Sequence, residues 1–324
     1  MRRRDFIKVI AGSAAAWPLA VPAQQSSMPV IGFLSTKAPD DTPHLLSAFR
    51  QGLKDTGFVE GQNVAIEYRF ANNQNERLSA LTADLVSRQV AVIFVPSTPA
   101  AVIAKRATAT IPIIFEIGGD PIRLGLVNRL DRPGGNVTGV SQLNNEVAPK
   151  RLELLHEIVP KATVMGYLVN PADPNVETTD VQAAAGKFGI ELHVLKASAE
   201  RDLDEVFAKL AQLRAGGLVI GASSFFIARQ EQLAALSVRH AVPAVFENRQ
   251  FAVAGGLMSY GSSLSDAYRL AGVYTARILK GEKPSELPVQ QTTKIEMYIN
   301  LTSAKALGLT VPPALWARAD EMIE

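Results

Sequence analysis

From Met28 onward, short apolar runs rich in β-branched residues alternate with longer stretches whose apolar positions recur every three or four residues. That is the pattern of strands and helices wound around a parallel sheet. Val30-Ile31-Gly32-Phe33-Leu34 predicts a first buried strand, and His44 to Thr56 follows with Leu45, Leu46, Phe49 and Leu53 at helical spacing before Gly57, a natural helix stop. A second strand is expected near Val64 to Phe70, a helix near Glu76 to Gln89 and a third strand over Val90 to Val95. Ser97-Thr98-Pro99 then reads as a cap followed by a first-turn proline, opening a helix to about Thr108. Ile111 to Phe115 is the next strand.

The same order recurs roughly 130 residues later. Val164-Met165-Gly166-Tyr167-Leu168 echoes the first strand, and Ile190 to Ala197 takes the place of Val64 to Ala71. Leu218-Val219-Ile220 with Ser223-Ser224 repeats Val92 to Val95 with Ser97-Thr98, and Val242 to Glu247 matches Ile111 to Glu116, down to the shared Phe-Glu ending. Such a chain is a duplicated α/β unit: two Rossmann-like lobes with parallel sheets, joined by a hinge of three crossings. Open parallel sheets place ligands beyond the carboxyl ends of their strands, which here means a cleft between the lobes. The crossings are expected near Ser141 to Ala148, between Gly261 and a helix over Ser265 to Leu279, and over Gly281 to Pro288. Lobe one then takes residues 28–141 and 262–282, and lobe two residues 142–261 and 283–324.

The first 23 residues change the charge picture. Arg2, Arg3, Arg4 and Lys8 less Asp5 contribute +3 to a formal net charge of +2, leaving the remainder near −1. The basic cluster, the apolar stretch from Val9 to Ala20 and the small residues of Val21-Pro22-Ala23 read as a cleavable signal peptide, and Arg3-Arg4-Asp5-Phe6-Ile7-Lys8 resembles a twin-arginine motif. Once the signal is removed at about Ala23, no basic stripe remains for nucleic acid and no apolar run is long enough to anchor the chain in a bilayer. The chain has no cysteine, which excludes disulfides, thiol nucleophiles and thiolate metal sites. His44, His156, His193 and His240 are dispersed, without a metal-binding pair, and neither a nucleophile elbow nor a P-loop is present. No catalytic residue, metal or cofactor is expected.

Trp17 to Ala20 with Ala23-Gln24-Gln25, Gly119-Asp120-Pro121 with Leu124 to Val127, and Arg132 to Ser141 form a set of distinctive segments. Gly255 to Gly261 and Ile299-Asn300-Leu301 with Ala304 to Leu309 complete it. Together they resemble the ABC transporter substrate-binding proteins related to tryptophan-binding importer lipoproteins, which have a type I periplasmic-binding fold. The resemblance covers essentially the whole chain. It implies a monomeric receptor in the periplasm that captures a small organic solute, an amino acid or aromatic carboxylate, for a permease with ATPase subunits. A sensing role beside a chemoreceptor or sensor kinase uses the same cleft, and an exported α/β enzyme is the remaining alternative. Relatives are often lipid-anchored through a cysteine that this chain lacks.

Candidate contacts follow from the strand-to-helix turns, where free N–H groups face the cleft. In lobe one these are Ser35, Thr36, Ser97, Thr98, Glu116, Asp120 and Ser141; in lobe two Asn170, Ser223, Ser224, Phe225 and Glu247, with Tyr260 at the second crossing. Thr98 is read either as a carboxylate contact or as a helix cap. Asp120 either binds an amine or ties its own turn, and Phe225 or Phe226 either stacks on a planar ligand or packs in the core. Glu116 and Glu247 end buried strands, so each needs a partner. Arg132-Pro133-Gly134-Gly135-Asn136 is ordinary turn chemistry before a strand rather than a phosphate loop.

Overall fold

The computed structural model describes residues 28–39, 43–142, 144–173, 176 and 178–324. The expected export signal, residues 1–23, lies outside them. Lobe one is built on β1 (Val30–Ser35), β2 (Ala65–Phe70), β3 (Val92–Val95), β4 (Ile113–Ile117) and β5 (Val137–Ser141). Lobe two repeats the plan with β6 (Val164–Val169), β7 (Glu191–Lys196), β8 (Leu218–Ile220), β9 (Ala244–Phe246) and β10 (Met258–Ser262). The strand order is β5-β4-β3-β1-β2 in the first sheet and β10-β9-β8-β6-β7 in the second, all parallel. Two sheets with one order are the structural form of the duplication read from the sequence.

The shared glycine of the first strand of each lobe has a packing reason. A Cβ on Gly32 would stand 3.0 Å from Leu85 Cδ1, and one on Gly166 would stand 2.6 Å from Leu210 Cδ2. Glycine lets the helix after the second strand of each lobe, Leu78–Ser87 or Arg201–Leu213, lie close against the sheet. Apolar side chains cover both faces of each sheet, as an all-parallel core requires. In lobe one Phe49, from the helix Pro43–Asp55, stacks on Phe94 at 4.5 Å, and Tyr268 meets Phe94 edge-on. Tyr268 belongs to the helix Leu264–Leu279, which follows β10 and returns to lobe one. The two helices cross at glycines: a Cβ on Gly52 would lie 1.9 Å from the Arg269 carbonyl, and one on Gly272 would lie 2.2 Å from that of Phe49.

The chain crosses between lobes after β5, after β10 and once more near the end. This last crossing comes later than Gly281 to Pro288. After a 3-10 turn at Pro284–Glu286, Leu287 and Val289 bury in lobe one. Thr138 Oγ1 donates to the Leu287 carbonyl at 2.7 Å, and Tyr274 Oη to that of Pro288 at 2.8 Å. β11 (Gln290–Gln291) then pairs parallel with β5. Residues 283–291 therefore belong to lobe one, not lobe two, and the chain leaves at Thr292 to Lys294. Beyond it, β12 (Ile295–Asn300) runs antiparallel to β10 and carries β13 (Glu321–Ile323) at the sheet edge.

Candidate ligand-binding cleft

β5 and β10 both run from their sheets directly into crossings, so the carboxyl edges of the two sheets turn toward the hinge. In lobe one, Ser97 is the cap of the helix Thr98–Ala107, its Oγ accepting from Ala100 N at 3.4 Å. Thr98 is the first helical residue, half-buried. Ser35 is buried and its Oγ accepts from Lys37 N at 3.1 Å; Thr36 beside it is half-buried. Asp120 is exposed, and its carboxylate accepts from Ile122 N at 2.8 Å and Arg123 N at 3.3 Å, so it holds its own turn. Ser141 is buried at the first crossing, where its carbonyl accepts from Thr292 N.

The lobe-two face is more strongly polar. Asn170 Nδ2 donates to Ser223 Oγ at 3.3 Å, and the same hydroxyl accepts from Phe225 N at 3.2 Å at the start of the helix Ser224–Ile227. Phe226 is fully buried in the core, whereas Phe225 is half-buried and lies under the Arg229 guanidinium at 4.1 Å. Tyr260 is half-buried against the core of lobe two. Asn145, Tyr167, Val169, Asn170, Val176, Gly221 and Ala222 line a narrow recess of about 10 Å³, room for about one water molecule. A larger recess of about 300 Å³ lies on the outer side of the Pro43–Asp55 helix, bordered by the exposed Arg50–Glu60 ion pair and remote from the crossings.

Between the faces sits a buried charge cluster. Glu116 is 4% and Glu247 6% exposed, while Arg151, in the helix Ala148–Ile158, is wholly enclosed. Burial pushes Glu116 up to about 7; the Gln142 hydrogen bond and the Lys37 charge oppose this, and Glu247 adds to it. Burial likewise pushes Glu247 up to about 7, against the Arg151 charge and bonds from Ser223 N–H and Asn144, with Asp173 reinforcing the rise. Asp173 is itself raised by burial, opposed by Ser223. Glu247 Oε2, Asp173 Oδ2 and two nitrogens of Arg151, Nε and Nη1, have no hydrogen-bond partner among the described residues. Buried polar atoms without partners are costly. Two acids against one guanidinium leave this face short of positive charge, which is the electrostatic setting for a cationic group.

Arg151, Asn144, Gln142 and Asp173 were not among the residues singled out from the sequence. Arg151 carried a signal: it precedes Leu152, Leu154 and Leu155 on the apolar side of an amphipathic helix, where a cation needs a reason.

Residues 28–323 match the family described as ABC transporter substrate binding protein. The chain belongs to that family. A tyrosine-binding protein of Clostridioides difficile (strain R20291) is 26% identical over 263 residues, covering 81% of this chain and 75% of the relative. A conserved domain protein from Vibrio cholerae has the same fold at a TM-score of 0.81 and 26% identity, covering 91% of this chain and 99% of its own. An ABC domain in complex with L-Trp from Streptococcus pneumonia aligns at a TM-score of 0.82 and 24% identity, covering 92% and 100%. The family places the chain among substrate-binding proteins of type I periplasmic-binding architecture, as the two-lobed topology requires. Among the described residues no helix is long and apolar enough to cross a membrane.

Proposed function

We propose that the protein captures an amino acid with an aromatic side chain, outside the cytoplasmic membrane, and delivers it to the permease of an ABC importer. One observation carries the substrate class: buried Glu247 and half-buried Asp173, each with an unpartnered carboxylate oxygen, stand at the carboxyl edge of lobe two. An α-ammonium group satisfies them, and its charge draws the Glu247 proton away. The opposite edge supplies the complement, with Thr98 and the first turn of its helix suited to a carboxylate. Tyr167, Val169 and Val176 at the same edge offer the side chain an apolar wall once the lobes part. The tyrosine-binding and L-Trp-bound relatives point to the same class.

Binding closes the cleft only as far as the closed form holds the solute better than the open one, and micromolar affinity, about −8 kcal/mol, suffices for uptake. Export through the twin-arginine signal and release into the periplasm belong to this reading. Titration calorimetry with L-tryptophan, L-tyrosine, L-leucine, indole-3-propionate and tryptamine tests it. The aromatic amino acids should bind, with losses of more than tenfold on removing either the amine or the carboxylate. Equal affinity for indole-3-propionate, or no binding of any amino acid, would refute the assignment.

A further inference from the structure

The three crossings are tied to one another in a closed ring. Thr292 N donates to the Ser141 carbonyl at 2.9 Å, joining the third crossing to the first, and Ser263 N donates to the Lys294 carbonyl at 2.9 Å, joining the second to the third. The remaining link, from first to second, is made by a side chain: Ser262 N donates to Asn144 Oδ1 at 2.9 Å. Two of the three joints are backbone and insensitive to side-chain identity. In the third, the Ser262 amide is held by the side chain of Asn144, which is 4% exposed.

The same residue connects both lobes. Its Nδ2 donates to Gln142 Oε1, and Gln142 Nε2 in turn donates to Glu116 at the end of β4 in lobe one. Its carbonyl accepts from Arg151 Nη2, in the first helix of lobe two. Space for the arrangement comes from Gly261, where a Cβ would lie 3.0 Å from Asn144 Oδ1 and 2.2 Å from the Glu247 carbonyl. Hinges work by concentrating the change of angle in a few residues between rigid bodies. The buried side-chain amide joins Gln142 of the first crossing to Ser262 at the end of β10, while the backbone carbonyl of the same residue takes Arg151, and this places Asn144 to fix that angle.

We propose that Asn144 is the positioning residue of the hinge, locking the first crossing to the second and so setting the angle between the lobes before any solute binds. The chain has no cysteine, so a pair of introduced cysteines accepts spin labels without background. Gln74 and Glu200 are exposed and follow the equivalent strands β2 and β7, so their separation reports the opening of the cleft. Gln74→Cys/Glu200→Cys protein, solute-free, should give one narrow distance distribution by pulsed electron resonance. Asn144→Ala should broaden it and move its mean by several ångströms.

An unchanged distribution in the alanine variant would overturn the assignment. If the alanine variant does not fold, hydrogen exchange on the unaltered protein decides: the Ser262 amide should exchange as slowly as the core strand amides, and fast exchange would end the proposal. No solute enters these measurements, so their outcome is independent of whether the cleft takes an amino acid.

Discussion

At the scale of single residues, burying carboxylates at the strand ends has a stability consequence whose sign is fixed. Glu116 is raised from 4.5 to about 7 by burial, with Lys37 opposing and Glu247 reinforcing, and Tyr268 packs near it. The folded protein therefore holds protons that the unfolded chain has released between about pH 4.5 and 7. Stability falls as pH rises through that window and levels off above it, by on the order of 1–3 kcal/mol per carboxylate. Glu116→Gln keeps an oxygen for Gln142 Nε2 and removes the titration. Urea unfolding at pH 5 and pH 8 should show a clear loss for the parent and a distinctly smaller one for the variant, with Glu247 supplying the remainder. Equal losses would mean that Glu116 stays ionised throughout.

Glu116 and Glu247 were legible as a pair because each ends an apolar strand with the same Phe-Glu signature. Their partners were not. Gln142 and Asn144 lie in a polar crossing, and nothing in a linear sequence says that this segment folds back beneath two strand ends.

Among the elements, the helix Thr98–Ala107 separates two roles that the sequence left merged. Ser97 makes the cap bond, so Ser97→Ala should lower stability by about 1 kcal/mol. Thr98 lies one residue inside, and among the described residues no hydrogen bond from its hydroxyl holds the helix end. Thr98→Ala should leave the melting temperature within a degree or so of the parent while weakening amino-acid binding about tenfold, or about 1.4 kcal/mol. A fall in stability with unchanged affinity would return Thr98 to the cap.

The strands that read most clearly are those with β-branched cores on both sheet faces. β1, β3, β4, β6 and β8 begin within two residues of expectation because a buried parallel strand leaves an uninterrupted apolar run. The helix expected from Glu76 instead starts as a 3-10 turn at Asn75–Arg77 and becomes α-helical at Leu78–Ser87. β11 was missed altogether: Gln290–Gln291 is exposed, polar and two residues long, and only its backbone pairing with β5 makes it a strand. Apolar periodicity cannot register such an element.

For the whole molecule, that short strand settles how the lobes depend on each other. Lobe one is not finished when β5 ends at Ser141. Its core still lacks Ala267, Tyr268, Ala271, Tyr274, Ala276 and Ile278 from the returning helix and Leu287 from the segment that follows, all of which belong to the same buried cluster as Phe33, Phe49 and Phe94. The chain delivers these only after building β6 through β10 of lobe two, which in turn waits for β12 and β13. A fragment of residues 28–141 leaves the whole face on which the Leu264–Leu279 helix packs open to water. At roughly 1.5–3 kcal/mol for each large apolar side chain left unburied, losing several is comparable to the whole 5–15 kcal/mol that holds a typical domain together. Such a fragment should therefore show no cooperative thermal transition, with expanded scattering dimensions and dye-binding apolar surface. Adding residues 262–291 through a flexible linker, with lobe two omitted, should restore a cooperative transition by supplying the missing helix and β11. A sharp transition in the shorter fragment would mean that the first five strands and their own helices suffice, and that the crossings serve movement alone.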